Sequence, residues 1–341
     1  MAKMITDSQH YSDIADAIRT KSGSEETLTP PEMSTAIENL PSSGGSDNPW
    51  IEIKEIDEYG YTKAVEYHNY NSTTGKQMID RGAYLSNTTL TSITGVDNIT
   101  TIGQMAFCHV NKLTFVAAAC NFTFPNVTAI GPHAFAFRRS ASPYSWFRCD
   151  ISKLVSIGEY AFADDGSTGS GNIIRFNSIT GDYELYNFAV LTSLGNSAFE
   201  NNKTLADEIS APVLTGVGVK SFSGTNIVKF TGGSSLTSVG NMGFADCPLY
   251  YFENCPNLAT IGTNAFKNTG LLKIWIKDGG TITANSTTAS PFYGCGVDLE
   301  IWTDAASKPS SWGTYFNNYA AASNAKLTVH YGATYQDYLD A

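Results

Sequence analysis

Nine residues recur along this chain with small variations. "ITTIGQMAF" ends at Phe107, and "VTAIGPHAF" (127–135), "LVSIGEYAF" (154–162), "LTSLGNSAF" (191–199), "LTGVGVKSF" (214–222), "LTSVGNMGF" (236–244) and "LATIGTNAF" (258–266) follow. A fixed internal period constrains the fold more than any other feature, because each unit buries its apolar face only against a copy of itself. The closing phenylalanines are spaced by 28, 27, 37, 23, 22 and 22 residues. The basic unit is therefore 22 to 23 residues, a length typical of one coil of a repeat solenoid. Insertions such as "RRSASPYSW" and "DDGSTGSGN" fill the longer intervals and are expected as loops on one rim. Tyr84 and Phe292 read as degenerate first and last markers.

Each unit has two halves. In L-x-x-[IV]-G-x-x-[AGS]-F, Leu and Ile or Val enter the core, Gly turns tightly, and the small residue lets Phe tuck under the next coil. The other half is a short strand: "NIIRF" at Asn172, "NIVKF" at Asn226, "PLYYF" at Pro248 and "GLLKI" at Gly270. Its apolar anchors are Ile173 and Phe176, Ile227 and Phe230, Leu249 and Phe252, Leu271 and Ile274. The expected fold is a curved right-handed repeat solenoid, mostly β with short helical or turn segments, its marker phenylalanines stacked in an internal column.

Composition agrees with an extended β surface. Only 16% of the residues are charged, and 21 Lys+Arg against 32 Asp+Glu leave a net charge of -11. A basic footprint for nucleic acid or an anionic membrane is not expected at that balance. No window approaches the ~18 apolar residues of a membrane span, and the N-terminal stretch has no apolar run of signal-peptide length. The six cysteines form no C-x-x-C pair, and buried free thiols are expected rather than bridges.

The texture changes along the chain. Residues 1–40 read as two helices. Tyr11, Ile14 and Ile18 share one face; Thr29, Pro30 and Glu32 spell a capping box ahead of the stripe Met33, Ile37 and Leu40. "PSSGGSDNP" within 41–49 is a linker, and 50–78 alternates like a β-hairpin covering the open end of the stack. The solenoid is assigned to 79–296. Residues 297–341, rich in Trp and Tyr, are assigned to a C-terminal cap.

These residues carry two resemblances. "LTSLGNSAF" and its copies resemble the BspA-type (Treponema-pallidum class) leucine-rich repeats of bacterial and protist surface proteins. That resemblance implies adhesion to host proteins or cell surfaces, with no fixed binding residues. "YSDIADAIRTKSGSEETLTPPEMSTAIENL" looks like a module of tail and fibre proteins from phages and prophages of Gram-positive bacteria. It implies a virion tail protein: Tyr11, Ile14, Ile18, Met33, Ile37 and Leu40 would dock to a tail or baseplate partner. The solenoid would then bind a host cell-surface glycan or protein. Tail symmetry adds the expectation of a symmetric homo-oligomer. The alternative is a bacterial surface adhesin or protein-interaction protein; a carbohydrate-active enzyme comes third.

There is no H-E-x-x-H, no P-loop Lys-[ST] after "GSTGSG", and no G-x-S-x-G elbow. Asp164 and Asp165 are adjacent in a Gly/Ser loop, without the opposed acid that glycosidases need. The expectation is a non-enzyme without metal or cofactor. Strand alternation instead nominates two outward columns, Arg175, Lys229, Tyr251 and Lys273, then Asn177, Thr231, Glu253 and Trp275, as the ligand-binding surface.

Overall fold

The computed structural model describes residues 50–56, 62–69, 77–87, 90, 92–108, 123–136, 148–164, 185–203, 205–286, 288–317 and 325–341. The two-helix module, the linker, and the candidates Arg175 and Asn177 lie outside these residues.

One face of the molecule is a seven-stranded parallel sheet of Leu185–Asn187, Ala206–Ser210, Asn226–Thr231, Tyr251–Glu253, Lys273–Trp275, Leu299–Thr303 and Leu327–Tyr331, paired in that order. The sheet thus runs on past residue 296. A second face consists of two-residue parallel strands, one per coil, from Met78–Ile79 to Thr281–Ile282, in a five-stranded and a four-stranded sheet. Trp50–Ile56 and Thr62–Asn69 form an antiparallel pair, and the second of these adds parallel to Ser92–Thr94. Among the described residues, helix is confined to Tyr335–Asp340 and one 3-10 turn at Ile151–Lys153.

The third face is the G-x-x-[AGS]-F segment. Its backbone forms a ladder without being strand: Phe107 N donates to Ala134 O, Phe199 N to Ser221 O and Phe244 N to Ala265 O, each at 2.8 Å. The residue two after each repeat glycine is left-handed in every copy: Met105, His133, Tyr160, Ser197, Lys220, Met242 and Asn264, with φ between 51° and 56°. The left-handed residue turns its own amide toward the neighbouring coil. Met242 N reaches Thr263 O at 2.9 Å in this way. Met105, His133, Tyr160, Ser197, Lys220 and Met242 hold this uncommon conformation because their amides bond the next coil, and Asn264 is of a residue type that adopts it readily.

The repeat glycine does not act as a turn residue, and here the sequence expectation is corrected. None of the seven has positive φ; the requirement is space. A Cβ on Gly262 would stand 2.5 Å from Asn241 N, and one on Gly158 2.5 Å from Pro132 N. The backbone of the preceding coil passes where a side chain would be.

Inside, the aromatic column is continuous from Tyr84 through Phe107, Phe135, Phe162, Phe199, Phe222, Phe244 and Phe266 to Phe292. Neighbouring centroids are 5.2–6.0 Å apart and the rings nearly parallel. Behind the rings, the position three residues after the marker satisfies the buried Phe carbonyls. Thr225 Oγ1 and Cys247 Sγ both donate to Phe222 O (2.8 and 2.9 Å); Thr269 Oγ1 and Cys295 Sγ do the same at Phe266 O (2.9 and 3.2 Å). Cys108, Cys149, Cys247, Cys255 and Cys295 are buried free thiols. Burial pushes Cys247 up to about 11 and Cys255 up to about 12.

Candidate ligand-binding face

The outer side of the long sheet is built by the anchor spacing. Ile227 and Phe230 point inward, as do Leu249 and Phe252, Leu271 and Ile274. Anchors three apart leave two residues between them with nowhere to go but out. One outward column is the expected one: Glu208, Lys229, Tyr251, Lys273, Glu300 and Thr328 pair in register across six strands. The other is Val228, Tyr250 and Leu272, joined by Tyr250 N→Val228 O (2.9 Å) and Leu272 N→Tyr250 O (3.2 Å). Strict alternation overlooked this second column; the three-residue anchor spacing was the signal that contains it.

Three apolar side chains stand exposed together there: Tyr250 (41%), Tyr251 (47%) and Leu272 (38%). Gly270 makes room for the first, since a Cβ on it would lie 2.5 Å from the Tyr250 ring. The ring therefore lies across the next coil. Around this patch the charges are paired: Lys229 Nζ sits 3.3 Å from Glu253 Oε2 and 4.0 Å from Glu208 Oε2. Exposed pairs of this kind add little stability, so the columns are free to vary without loss of the fold.

The second expected column is only partly open. Thr231 pairs with Glu253, both half-buried, and Trp275 pairs with Trp302. Trp302 stacks on His330 with centroids 3.9 Å apart. Trp275 itself is 4% exposed, which corrects its expected place on an open surface. The helix Tyr335–Asp340 folds back over it. Tyr335 meets its ring edge-on at 5.3 Å, Tyr338 lies 6.2 Å away, and its own Nε1 donates to Pro256 O (3.0 Å).

Lys273 is also engaged by that helix. Its Nζ donates to Tyr338 O (3.0 Å) and stands 4.8 Å over the Tyr338 ring. The Tyr338 hydroxyl donates to Phe252 O (3.1 Å), and burial raises its pKa. Pairing between Tyr251–Glu253 and Lys273–Trp275 is limited to Tyr251 with Lys273. The helix seats its phenol where the strand ladder stops.

No group of three or more His, Cys, Asp or Glu residues among the described residues has metal-holding geometry, and no helix there is long and apolar enough to cross a membrane. On this face Glu208 and Glu253 flank Lys229, and Glu300 accepts from Trp302 Nε1 (3.1 Å).

Repeated parallel strands with one internal side-chain column define a leucine-rich-repeat solenoid. The family can be stated more narrowly. Six copies of the BspA type leucine-rich repeat region match over residues 50–142, 77–193 and 184–297, and the chain belongs to that family. Comparison with curated protein sequences gives no significant match. Three solved structures resemble it at 14% identity. They are a leucine-rich repeat protein from Bacteroides ovatus (84% of this chain, 77% of that one, TM-score 0.40), the pneumococcal vaccine antigen PcpA (73% and 64%, 0.35), and a leucine rich cell surface protein from Faecalibacterium prausnitzii (88% and 97%, 0.31).

Proposed function

We propose that this protein is a non-enzymatic interaction protein displayed at a bacterial surface, where the long sheet presents the binding face to a host or neighbouring-cell protein. The carrying observation is the exposed cluster Tyr250, Tyr251 and Leu272, flanked by Lys229 and Glu253, on a rigid repeat sheet. Tyrosines held rigidly contribute large contact area at low entropy loss, and hot spots concentrate in such residues. Membership of the BspA-type family supports the same reading. Replacing Tyr250, Tyr251 and Lys229 together by Ala should weaken binding to whole target cells at least about tenfold, the scale of a single hot spot, and leave the melting temperature nearly unchanged. Undiminished cell binding by the triple variant would move the site off this face.

The N-terminal "IADAIRTKSG" and "PPEM" phrases favour a second reading, a phage or prophage tail protein in which the solenoid recognises the host. That reading expects deletion of residues 1–45 to abolish incorporation into particles while the repeat domain still binds cells. Normal incorporation of the truncated chain would remove it.

A further inference from the structure

We propose that the Trp275 slot is itself a binding site, one that takes a tyrosine on the last turn of a short helix of a partner polypeptide, and that Tyr338 occupies it as a displaceable stand-in. The proposal rests on the reading of the outer sheet face above and names the partner's chemistry. Three groups give the slot its specificity. The Phe252 carbonyl accepts a phenol hydroxyl at 3.1 Å, Trp275 walls the ring, and Lys273 donates at 3.0 Å to a main-chain carbonyl in the helix's last turn. An ammonium at that position also meets the negative end of the helix. A carbonyl facing a side chain, where the inter-strand pairing is interrupted, would be buried and unsatisfied under a ligand that brings no donor. It would discriminate strongly in favour of a ligand with a hydroxyl.

The present occupant is held lightly. A helix of six residues is marginal without tertiary support, and only Tyr338 of this one is fully buried. The Tyr335 hydroxyl is buried with no hydrogen-bond partner among the described residues, which weakens the closed state. Gly332, at φ 69°, has open space around it just ahead of the helix. The surface it covers is continuous with the exposed cluster: Tyr251 and Lys273 are partners in register, and Leu272 and Lys273 are adjacent. Displacing the helix would join Trp275 to that cluster as one aromatic surface.

The test uses the full chain in three forms: wild type, Tyr338→Phe and Tyr338→Ala. Hydrogen exchange at the amides of Tyr338 and Ala341, which bond Thr334 O and Asp337 O, reads the opening directly. These amides should exchange far faster than Phe244 N in the wild type. They should exchange about tenfold faster again in Tyr338→Phe, the factor one ordinary hydrogen bond confers. A labelled peptide of residues 333–341 is the probe for the slot. It should bind the Tyr338→Ala chain, bind wild type at least tenfold less tightly because the slot is filled, and lose binding when its own Tyr338 is Phe. Exchange of Tyr338 and Ala341 only with global unfolding would make the helix a fixed cap and overturn the proposal. So would a folded Tyr338→Ala chain that ignores the peptide at millimolar concentration, or equal binding to all forms. None of these readouts uses cells, so their failure is separable from failure of the cell-binding reading.

Discussion

At the scale of single residues, the same nine letters conceal two different kinds of constraint. The marker phenylalanine is a packing residue: Phe244 is fully buried and touches rings on both neighbouring coils. Phe244→Ala should lower stability by about 3–5 kcal/mol, as measured by denaturant titration. The repeat glycine is a clearance residue. Gly262→Ala adds one methyl, yet it should cost about 1–3 kcal/mol by pushing on the Asn241 main chain. Gly279→Ala, with open space around it but φ 76°, should cost about 1 kcal/mol, from backbone conformation alone. If Gly262→Ala proved neutral, close approach would not explain the repeat glycine. The sequence made the Phe column legible because aromatic spacing is a direct readout of coil length. It could not separate a glycine needed for φ from one needed for space, because both look like an invariant letter in a period.

At the scale of elements, the strands were readable and the turns were not. "NIVKF" and "PLYYF" announce their inward anchors, and Lys229, Tyr251 and Lys273 pair as alternation required. The left-handed turn was invisible, since Met, Tyr, Ser and Lys have no local preference for that conformation and only His133 and Asn264 of the seven do; the inter-coil ladder explains the rest. The fold-back of helix Tyr335–Asp340 over Trp275 was equally hidden, because it is a contact between positions some sixty residues apart. That helix has a legible device of its own. Thr334 and Asp337 form a capping box, and the Thr334 backbone N–H and hydroxyl hold the Asp337 carboxyl below its ordinary range. A depressed folded-state pKa stabilises the helix fully above the usual aspartate value near ~4, and the contribution is lost as pH falls through the lower folded value. Amides of residues 338–341 should therefore exchange faster, relative to the intrinsic rate, on acidification below about pH 4, and Asp337→Asn should remove most of that pH dependence. An unchanged profile in Asp337→Asn would assign the effect to other carboxylates.

At the scale of the whole molecule, stability in a solenoid is a sum over nearest neighbours, so one coil can be removed if the register survives. The coils ending at Phe222, Phe244 and Phe266 are spaced by one 22-residue period, and their marker rings stack alike. Thr225 stands where Cys247 stands, Ile227 where Leu249 does, and Phe230 where Phe252 does. Deleting residues 223–244 joins Phe222 to Ala245 and restores every inward position: Phe222 should then stack on Phe266, and the Phe222 amide should find Ala265 O. Deleting residues 223–233 removes half a period and places Ser234 and Ser235 where Ser223 and Gly224 lay, so that Ser238 to Gly240 fall where the long strand's Ile227 to Lys229 belong. The full-period variant should remain folded, with β circular dichroism and cooperative melting a few degrees below the parent. The half-period variant should lose cooperative melting altogether. Similar behaviour of the two deletions would mean that the coils are not interchangeable, and that the insertions or the end segments, rather than the stacked repeats, set the stability of this solenoid.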